Sequence, residues 1–538
     1  MLVESFNPFN NLLLSSIVAA IPIILFLLCL TVFKMKGVYA AITTLIVTII
    51  VAMAFFKLPG SIAGGATLEG FYQGIIPIGF IVIMAVWLYK IATKSGQFAI
   101  VQDSIASVSR DQRVQLLLIG FVFNGFLEGA AGFGVPIAIC AVLLTQLGFK
   151  PLQAAMYCLV SNAAAGAYGA VGIPIAIVDT LNLPGGVTTS QVALIGNLTL
   201  GFISFVVPFL LMYIMDGFKG VKETFPATLV VAVTFTVLQV LIAAFAGPEL
   251  ADIIPGLVAM IALALFSKKW QPKNIFRINK DEKADAVPKH SIGHITYAWS
   301  PFIILTIVVM IWSLPAFKGL FEKGGALSAL VVNFNVPGTM NAVTNKPNEL
   351  TFNFFAQTGT AILITAIITI IIAKNMSFKT AGHLLGLTVK ELWISVLTIC
   401  FILAVSKITT YGGLSNAMGQ GISKTGAAFP LLSPLLGWIG VFMTGSVVNN
   451  NSLFAPIQAS VAEQIGTKGS LLVAANVAGG VTAKIVSPQS IAIATAAVNK
   501  VGKESELMKM AMRFSIGLLI LVCIWTFICS LFTVSYTH

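Results

Sequence analysis

Two ionisable side chains stand where such groups are costly. Lys484 is the only acid or base in the 26-residue stretch 470–495, in the setting Ala475-Asn476-Val477-Ala478-Gly479-Gly480-Val481-Thr482-Ala483-Lys484-Ile485-Val486-Ser487-Pro488-Gln489-Ser490. An ammonium at bilayer depth costs roughly 2.5–3.5 kcal/mol on insertion scales, so it needs a task. The small residues and the Ser487-Pro488 pair read as a broken helix, which membranes tolerate only where it is buried in protein or lines a cavity. Proline suits the first turn of a helix, and Ser487 is placed to cap it, leaving the N–H groups of Gln489 and Ser490 beside the ammonium. Lys484, Ser487, Gln489 and Ser490 thus form a candidate site for a small carboxylate. The plainer alternative is that Pro488 is an ordinary kink and Lys484 snorkels.

Glu128 is the second such residue, in Asn124-Gly125-Phe126-Leu127-Glu128-Gly129. A carboxylate at low dielectric can carry a proton near neutral pH, so Glu128 is the candidate proton-coupling residue. The alternatives are a structural salt bridge or a loop-facing acid. Pro136, Pro174 and Pro456 also follow breaks rich in Gly, Ala or Ser and read as further half-helix starts. Asn449, Asn450 and Asn451 form a polar tip that either binds a carboxylate or hydroxyl or satisfies broken backbone. Glu69 reads as an interfacial acid and Asp179 as a solvated helix end. Lys407 either pairs with Glu128 or, as favoured here, snorkels from the outer end of its helix.

Other chemistry finds no footing. The six cysteines lie in apolar runs without a CxxC, and the four histidines lack zinc-ligand spacing, so no metal is expected. There is no Walker A, GxSxG or HExxH pattern, and the glycines of 129–134 follow no strand. Neither an enzyme nor a cofactor is expected, and any transport is secondary.

The elements that must position these residues follow from composition. The chain has 538 residues, 57% hydrophobic and 9% charged, with mean hydropathy +0.97. Soluble domains carry about 25% charged residues, so this is an all-α polytopic membrane protein embedded in lipid. Its net charge of +12 fits basic cytoplasmic loops rather than nucleic-acid binding. The N-terminus carries Glu4 and no Lys or Arg before Lys34, unlike a signal peptide, so the first apolar run should remain as a helix. About twelve full spans are expected, near 13–33, 38–56, 71–93, 152–178, 190–215, 225–246, 250–267, 295–315, 353–373, 393–412, 470–495 and 513–534. Segments 114–147 and 430–466 fit poorly as single spans. Each is interrupted, by Glu128-Gly129-Ala130-Ala131-Gly132-Phe133-Gly134-Val135-Pro136 and by Gly445-Ser446-Val447-Val448-Asn449-Asn450-Asn451, and each reads as a re-entrant hairpin.

Charge placement bears on that reading. The basic loop with Lys268, Lys269, Lys273, Arg277, Lys280, Lys283 and Lys289 should be cytoplasmic. Counting outward from it with both segments as hairpins places Lys34, Lys36, Lys90, Lys94, Arg110, Arg113, Lys150, Lys219 and Lys222 inside. The same holds for Lys374, Lys379, Lys390, Lys500, Lys503 and Lys509. Lys318, Lys323, Lys346, Lys424 and Lys468 are left outside. The first hairpin then enters from the cytoplasm and the second from outside. The sequence echoes this inversion: Asn162 to Pro174 has the spacing of Asn476 to Pro488, and Phe133-Gly134-Val135-Pro136 resembles Phe454-Ala455-Pro456. Inverted repeats with discontinuous helices and a midplane site are a transporter pattern. The expected halves are 1–267 and 295–538, joined by the cytoplasmic linker 268–294. On this repeat the site also takes in Asn162, Asn476, Gly132 and Asn451. The loop 316–352 is polar and is expected to pack as an external cap.

The motifs Phe126-Leu127-Glu128-Gly129-Ala130-Ala131-Gly132-Phe133-Gly134-Val135-Pro136, Ala170-Val171-Gly172-Ile173-Pro174, Gln357-Thr358-Gly359-Thr360-Ala361 and Ala474-Ala475-Asn476 through Ile491 resemble those of the L-lactate permease family, in order and spacing over essentially the whole chain. The resemblance implies import of lactate, and of D-lactate and glycolate, with protons across the bacterial inner membrane by an elevator-type carrier. Its partners would be a small monocarboxylate anion, a proton and membrane lipid, with a homodimer as one assembly. The family usually shows Gly-Ser-Asp-Thr-Ser at the second hairpin tip, where this chain has Gly445-Ser446-Val447-Val448. Either this chain takes another small carboxylate, or it relies on Glu128 alone for coupling. The alternatives are a sodium-coupled carrier of another small organic acid and a non-transporting membrane sensor.

Overall fold

The computed structural model describes residues 7–106, 108–278, 290–340 and 347–532; Glu4, Lys280, Lys283, Lys289, Lys346 and His538 lie outside the described residues. Lipid offers backbone groups no hydrogen-bond partner, so long apolar runs satisfy them within helices. Among the described residues there are 11 helices long and apolar enough to cross a membrane, or up to 12 when the bent pair Pro151–Ala165 and Gly169–Leu181 is one span.

Burial divides these helices. Gln112–Ala130 is buried throughout and Gly469–Ala497 nearly so, whereas Leu12–Leu30, Gly37–Ala54 and Glu504–Phe532 bury only a minority of their residues. The exposed faces carry Leu13, Ile17, Ile46, Ile50, Ile520 and Leu531, as suits helices whose solvent is hydrocarbon. The inner helices are rich in Ala and Gly, which lets backbones approach closely. A Cβ on Gly479 would lie 1.8 Å from the Pro434 carbonyl oxygen, where Gly469–Lys484 crosses Phe429–Thr444. The obstacle is backbone, which cannot rotate away. Gly479→Ala is therefore expected to destabilise the fold by about 3 kcal/mol or more, the upper end for overpacking. Thermal unfolding in detergent checks this, and an unchanged midpoint would refute the close crossing.

Both expected hairpins form pairs of helices around a break. The first joins Gln112–Ala130 to Val135–Gln146 through 131–134. The second joins Phe429–Thr444 to Val447–Ile465 through Gly445 and Ser446. Both expected long spans beside them are broken. Pro151–Ala165 bends by 48° into Gly169–Leu181, with Ala170, Val171 and Gly172 at positive φ. Gly469–Lys484 stops before Pro488–Ala497.

Several expectations are corrected. Pro456 lies inside Val447–Ile465; that helix starts instead at Ser446, whose hydroxyl accepts the Asn449 N–H at 3.2 Å. The expected spans 190–215 and 225–246 do form, as two helices of the run Thr189–Phe245 that part at Asp216 and Gly217 and lie side by side, Asn197 on the first donating to the Val240 carbonyl on the second at 3.1 Å. The segment 353–373 is helical only over Thr358–Ile372, 15 residues, short of the roughly 20 that span a bilayer. The loop 316–352 is not wholly irregular, and the described chain is not wholly α. Val332–Met340 and Pro347–Phe352 pair antiparallel, and the Tyr72 hydroxyl donates to the Thr351 carbonyl at 3.1 Å. The start of the linker is packed, because the N–H groups of Phe276 and Ile278 donate to Asp111 and Gln112 beneath the first hairpin. Arg113 is likewise no free loop charge: it is fully buried and bridges Asp111, Asp216 and Glu223.

Candidate functional site

The two hairpin tips and the two broken helices surround a cavity of about 450 Å³, within the roughly 300–1,000 Å³ of small-ligand pockets. Local chemistry shapes its wall. Ser487 caps Pro488–Ala497, its hydroxyl accepting the Ser490 N–H at 3.3 Å and donating to the Ser490 hydroxyl at 2.9 Å. Ser446 caps Val447–Ile465 in the same way. Val135–Gln146 begins at Gly134, held at φ +83°. Gly134 ahead of the first helix, Val447 of the second and Pro488 of the third line the cavity. Each helix N-terminus carries about half a positive charge and unpaired N–H donors, so the cavity favours an anion before any side chain is counted.

Both hairpin tips press on the Pro488 half-helix. A Cβ on Gly445 would lie 2.4 Å from Gln489 Oε1, and one on Gly134 would lie 2.6 Å from the end of Ile493. Larger residues at either tip would prise the tips from the half-helix that carries Gln489 and Ser490.

Lys484 and Glu128 meet on this wall. The Lys484 ammonium donates to Glu128 Oε1 at 2.6 Å, and the Asn162 amide donates to Glu128 Oε2 at 2.7 Å. Glu128 is 2% exposed and Lys484 9%. Stripping two ions of water costs several kcal/mol each, which their attraction offsets only while both partners remain. A mobile anion that takes over the ammonium therefore leaves Glu128 as an unpaired buried carboxylate, a state that protonation relieves.

Of the sequence-expected site residues, Lys484, Glu128, Gln489, Ser490 and Gly132 line the cavity. Ser487, Asn162, Asn476 and Asn451 stand behind the wall. Asn476 donates to Asn451 Oδ1 at 3.2 Å, and the Asn451 amide donates to the Pro174 carbonyl at 2.9 Å, tying the second hairpin to the first broken helix. Two expectations fail together. Lys407 neither snorkels nor reaches Glu128, and Glu69 is not interfacial; both are buried, with Nζ 2.6 Å from Glu69 Oε1. The Tyr411 hydroxyl completes that cluster by donating to Glu69 Oε2 at 2.7 Å.

Sequence reasoning missed Ser446, Val447 and Val448 as cavity lining, and it missed Asp252, which is buried beside the first hairpin. The signals were present: a serine after a glycine before an apolar run, and an acid opening the apolar run Ile253–Lys269.

Comparison with known proteins agrees along the chain. Residues 15–533 match the family model described as L-lactate permease. An L-lactate permease of Halalkalibacterium halodurans is 56% identical over 533 residues, covering 99% of this chain and 100% of that protein. The glycolate permease GlcA of Escherichia coli K12 is 43% identical over 536 residues, covering 95% of each. Among solved structures, the YdaH transporter of Alcanivorax borkumensis aligns over 87% of each chain at 15% identity with a TM-score of 0.46, too slight a likeness for inference.

Proposed function

Because the chain belongs to the L-lactate permease family, we propose that it imports L-lactate and related 2-hydroxy monocarboxylates, D-lactate and glycolate among them, together with protons across a bacterial inner membrane. Relatives named as L-lactate and glycolate permeases support the substrate class. The single observation that carries the coupling is the buried Lys484–Glu128 pair on the cavity wall. In the empty carrier the two charges neutralise each other. A lactate carboxylate, drawn by three helix N-termini, takes the ammonium. Glu128, released, takes a proton, so anion and proton enter the site together and the site stays neutral. Ser490 and Gln489 stand next to that ammonium on the wall and are the donors for the remaining substrate oxygens.

Two hairpins, two broken helices and the spacing echo between Asn162–Pro174 and Asn476–Pro488 support an inverted repeat of 1–267 and 295–538 moving as an elevator. The cavity also touches Lys36 and Gly37 between the first two helices. On the proposed topology that is the cytoplasmic side, so this conformation faces inward. Cysteine labelling tests the topology: a label at position 150 is expected to be reached from the cytoplasm and one at exposed Ser190 from outside. A position-150 label reached only from outside would overturn the re-entrant first hairpin.

The coupling reading is tested by uptake of labelled lactate into proteoliposomes. A pH gradient, acid outside, is expected to drive accumulation, and a sodium gradient alone is not. Accumulation driven by sodium alone would replace protons with sodium. Lactate binding with no uptake under any gradient would favour a sensor.

A further inference from the structure

Asp252 stands directly behind Glu128. It opens the helix Ile253–Lys269 and is 1% exposed, and a Cβ on Gly129 would come within 2.7 Å of its own Cβ. Its Oδ1 accepts the Gln239 amide at 2.8 Å. The Ser204 hydroxyl donates to Gln239 Oε1 at 2.6 Å, which fixes the amide with its N–H toward Asp252. Oδ2 is buried and receives no hydrogen bond among the described residues.

The groups facing Asp252 come from four neighbouring elements. They are Glu128 on the first hairpin, Lys484 on the second broken helix, Tyr168 at the break of the first, and Gln239 on the second helix of the run Thr189–Phe245. The only cation among them, Lys484, is already held by Glu128. Asp252 therefore has no cation of its own among these groups, and an ionised Asp252 with one amide donor would be poorly compensated in this dry setting.

Asp252 does not line the cavity. Three residues before it, Glu249 lies within electrostatic reach of Asp179 and Lys318, and its Oε2 is also buried without a partner. Asp179, which is exposed, Glu249 and Asp252 are thus the candidate carriers between solvent and Glu128.

We propose that Asp252 is the proton donor to Glu128: when a substrate carboxylate takes Lys484, the Asp252 O–H bond breaks, the proton moves to the Glu128 carboxylate, and Asp252 regains a proton from solvent through Glu249. This rests on the proton-coupled reading above. On the proposed topology Asp179 is external, so the proton and the anion of import would reach the site by separate routes.

The test uses the full chain and compares an equilibrium with a rate: lactate affinity of the purified protein, which a proton donor does not alter, and uptake into proteoliposomes driven by a pH gradient, which it speeds. Asp252→Asn, isosteric with the protonated acid, is expected to keep affinity within about twofold and to slow pH-driven uptake by about tenfold or more, a modest share of what a positioned proton donor supplies. Asp252→Glu is expected to recover most of that rate. Should Asp252→Asn fail to fold, Glu249→Gln takes its place, with the same selective slowing expected. Wild-type pH-driven uptake in Asp252→Asn, or in Glu249→Gln where that variant stands in, would overturn the proposal. Loss of affinity and of pH-driven uptake in equal measure would overturn it too, since that marks a structural role. If the unmodified protein shows no pH-driven accumulation, it is the coupling reading itself that has failed.

Discussion

Lys484→Ala is expected to abolish lactate binding while the protein stays folded. On the proposed binding mode the substrate carboxylate loses the buried ammonium it pairs with, and removing a partner from a desolvated charge pair costs about 2–5 kcal/mol. That corresponds to a loss of roughly 30-fold to several thousand-fold in affinity. The fold survives because Glu128, left without its ammonium, escapes the cost of an unpaired charge by taking up a proton and keeps the Asn162 hydrogen bond. Lys484→Arg is not expected to rescue. The ammonium approaches Glu128 Oε1 to 2.6 Å from a helix end packed against Gly166, and a planar guanidinium is larger and demands a different donor geometry. Binding of labelled lactate to purified protein, with size-exclusion elution as the folding control, measures this. Wild-type affinity in well-folded Lys484→Ala would remove Lys484 from the site.

Glu128→Gln is expected to separate binding from coupling. Glutamine mimics the protonated acid, leaves Lys484 free for the substrate, and has no proton to release. On the proposed exchange, wild-type binding is expected to take up a proton as lactate displaces Glu128, so affinity should fall as pH rises, by up to about tenfold per unit where Glu128 is ionised before lactate arrives. In Glu128→Gln that dependence should vanish, with affinity at alkaline pH above that of the wild type. Exchange of lactate across the membrane should persist, because exchange requires only that the loaded carrier cross. Accumulation driven by a pH gradient should be lost. If Glu128→Gln still concentrates lactate against its gradient with only a pH gradient supplied, Glu128 is structural and the coupling group lies elsewhere.

What was legible in the sequence was local. A lone lysine in 26 residues without another acid or base, followed by Ser487-Pro488, announced a helix break and its cap, because capping is decided by a few adjacent residues. The interruptions near Gly132 and Gly445 were visible for the same reason, as was the membrane class from composition alone. Partners distant along the chain were not visible. Glu128 and Lys484 are 356 positions apart, and nothing in either neighbourhood names the other. The Glu69–Lys407 pair was hidden in the same way, and reading each charge alone sent both to the membrane surface. Pro456 misled because a proline after small residues looks the same whether it starts a helix or sits inside one. The strand pair beginning at Val332 was masked by an Asn-rich stretch that reads as loop. Asp252 was overlooked because an acid at the head of an apolar run is ordinarily a solvated helix start, and only the packing of the first hairpin against it makes it buried.

The exchange of Glu128 for lactate at Lys484 is tested most directly by counting protons. Calorimetry of lactate binding to the purified protein, repeated in buffers of different ionisation enthalpy, gives the number taken up. The expected result is about one proton per lactate bound in the wild type and none in Glu128→Gln. Lactate binding to the wild type without proton uptake, at a pH where its affinity is nonetheless strong, would contradict the exchange.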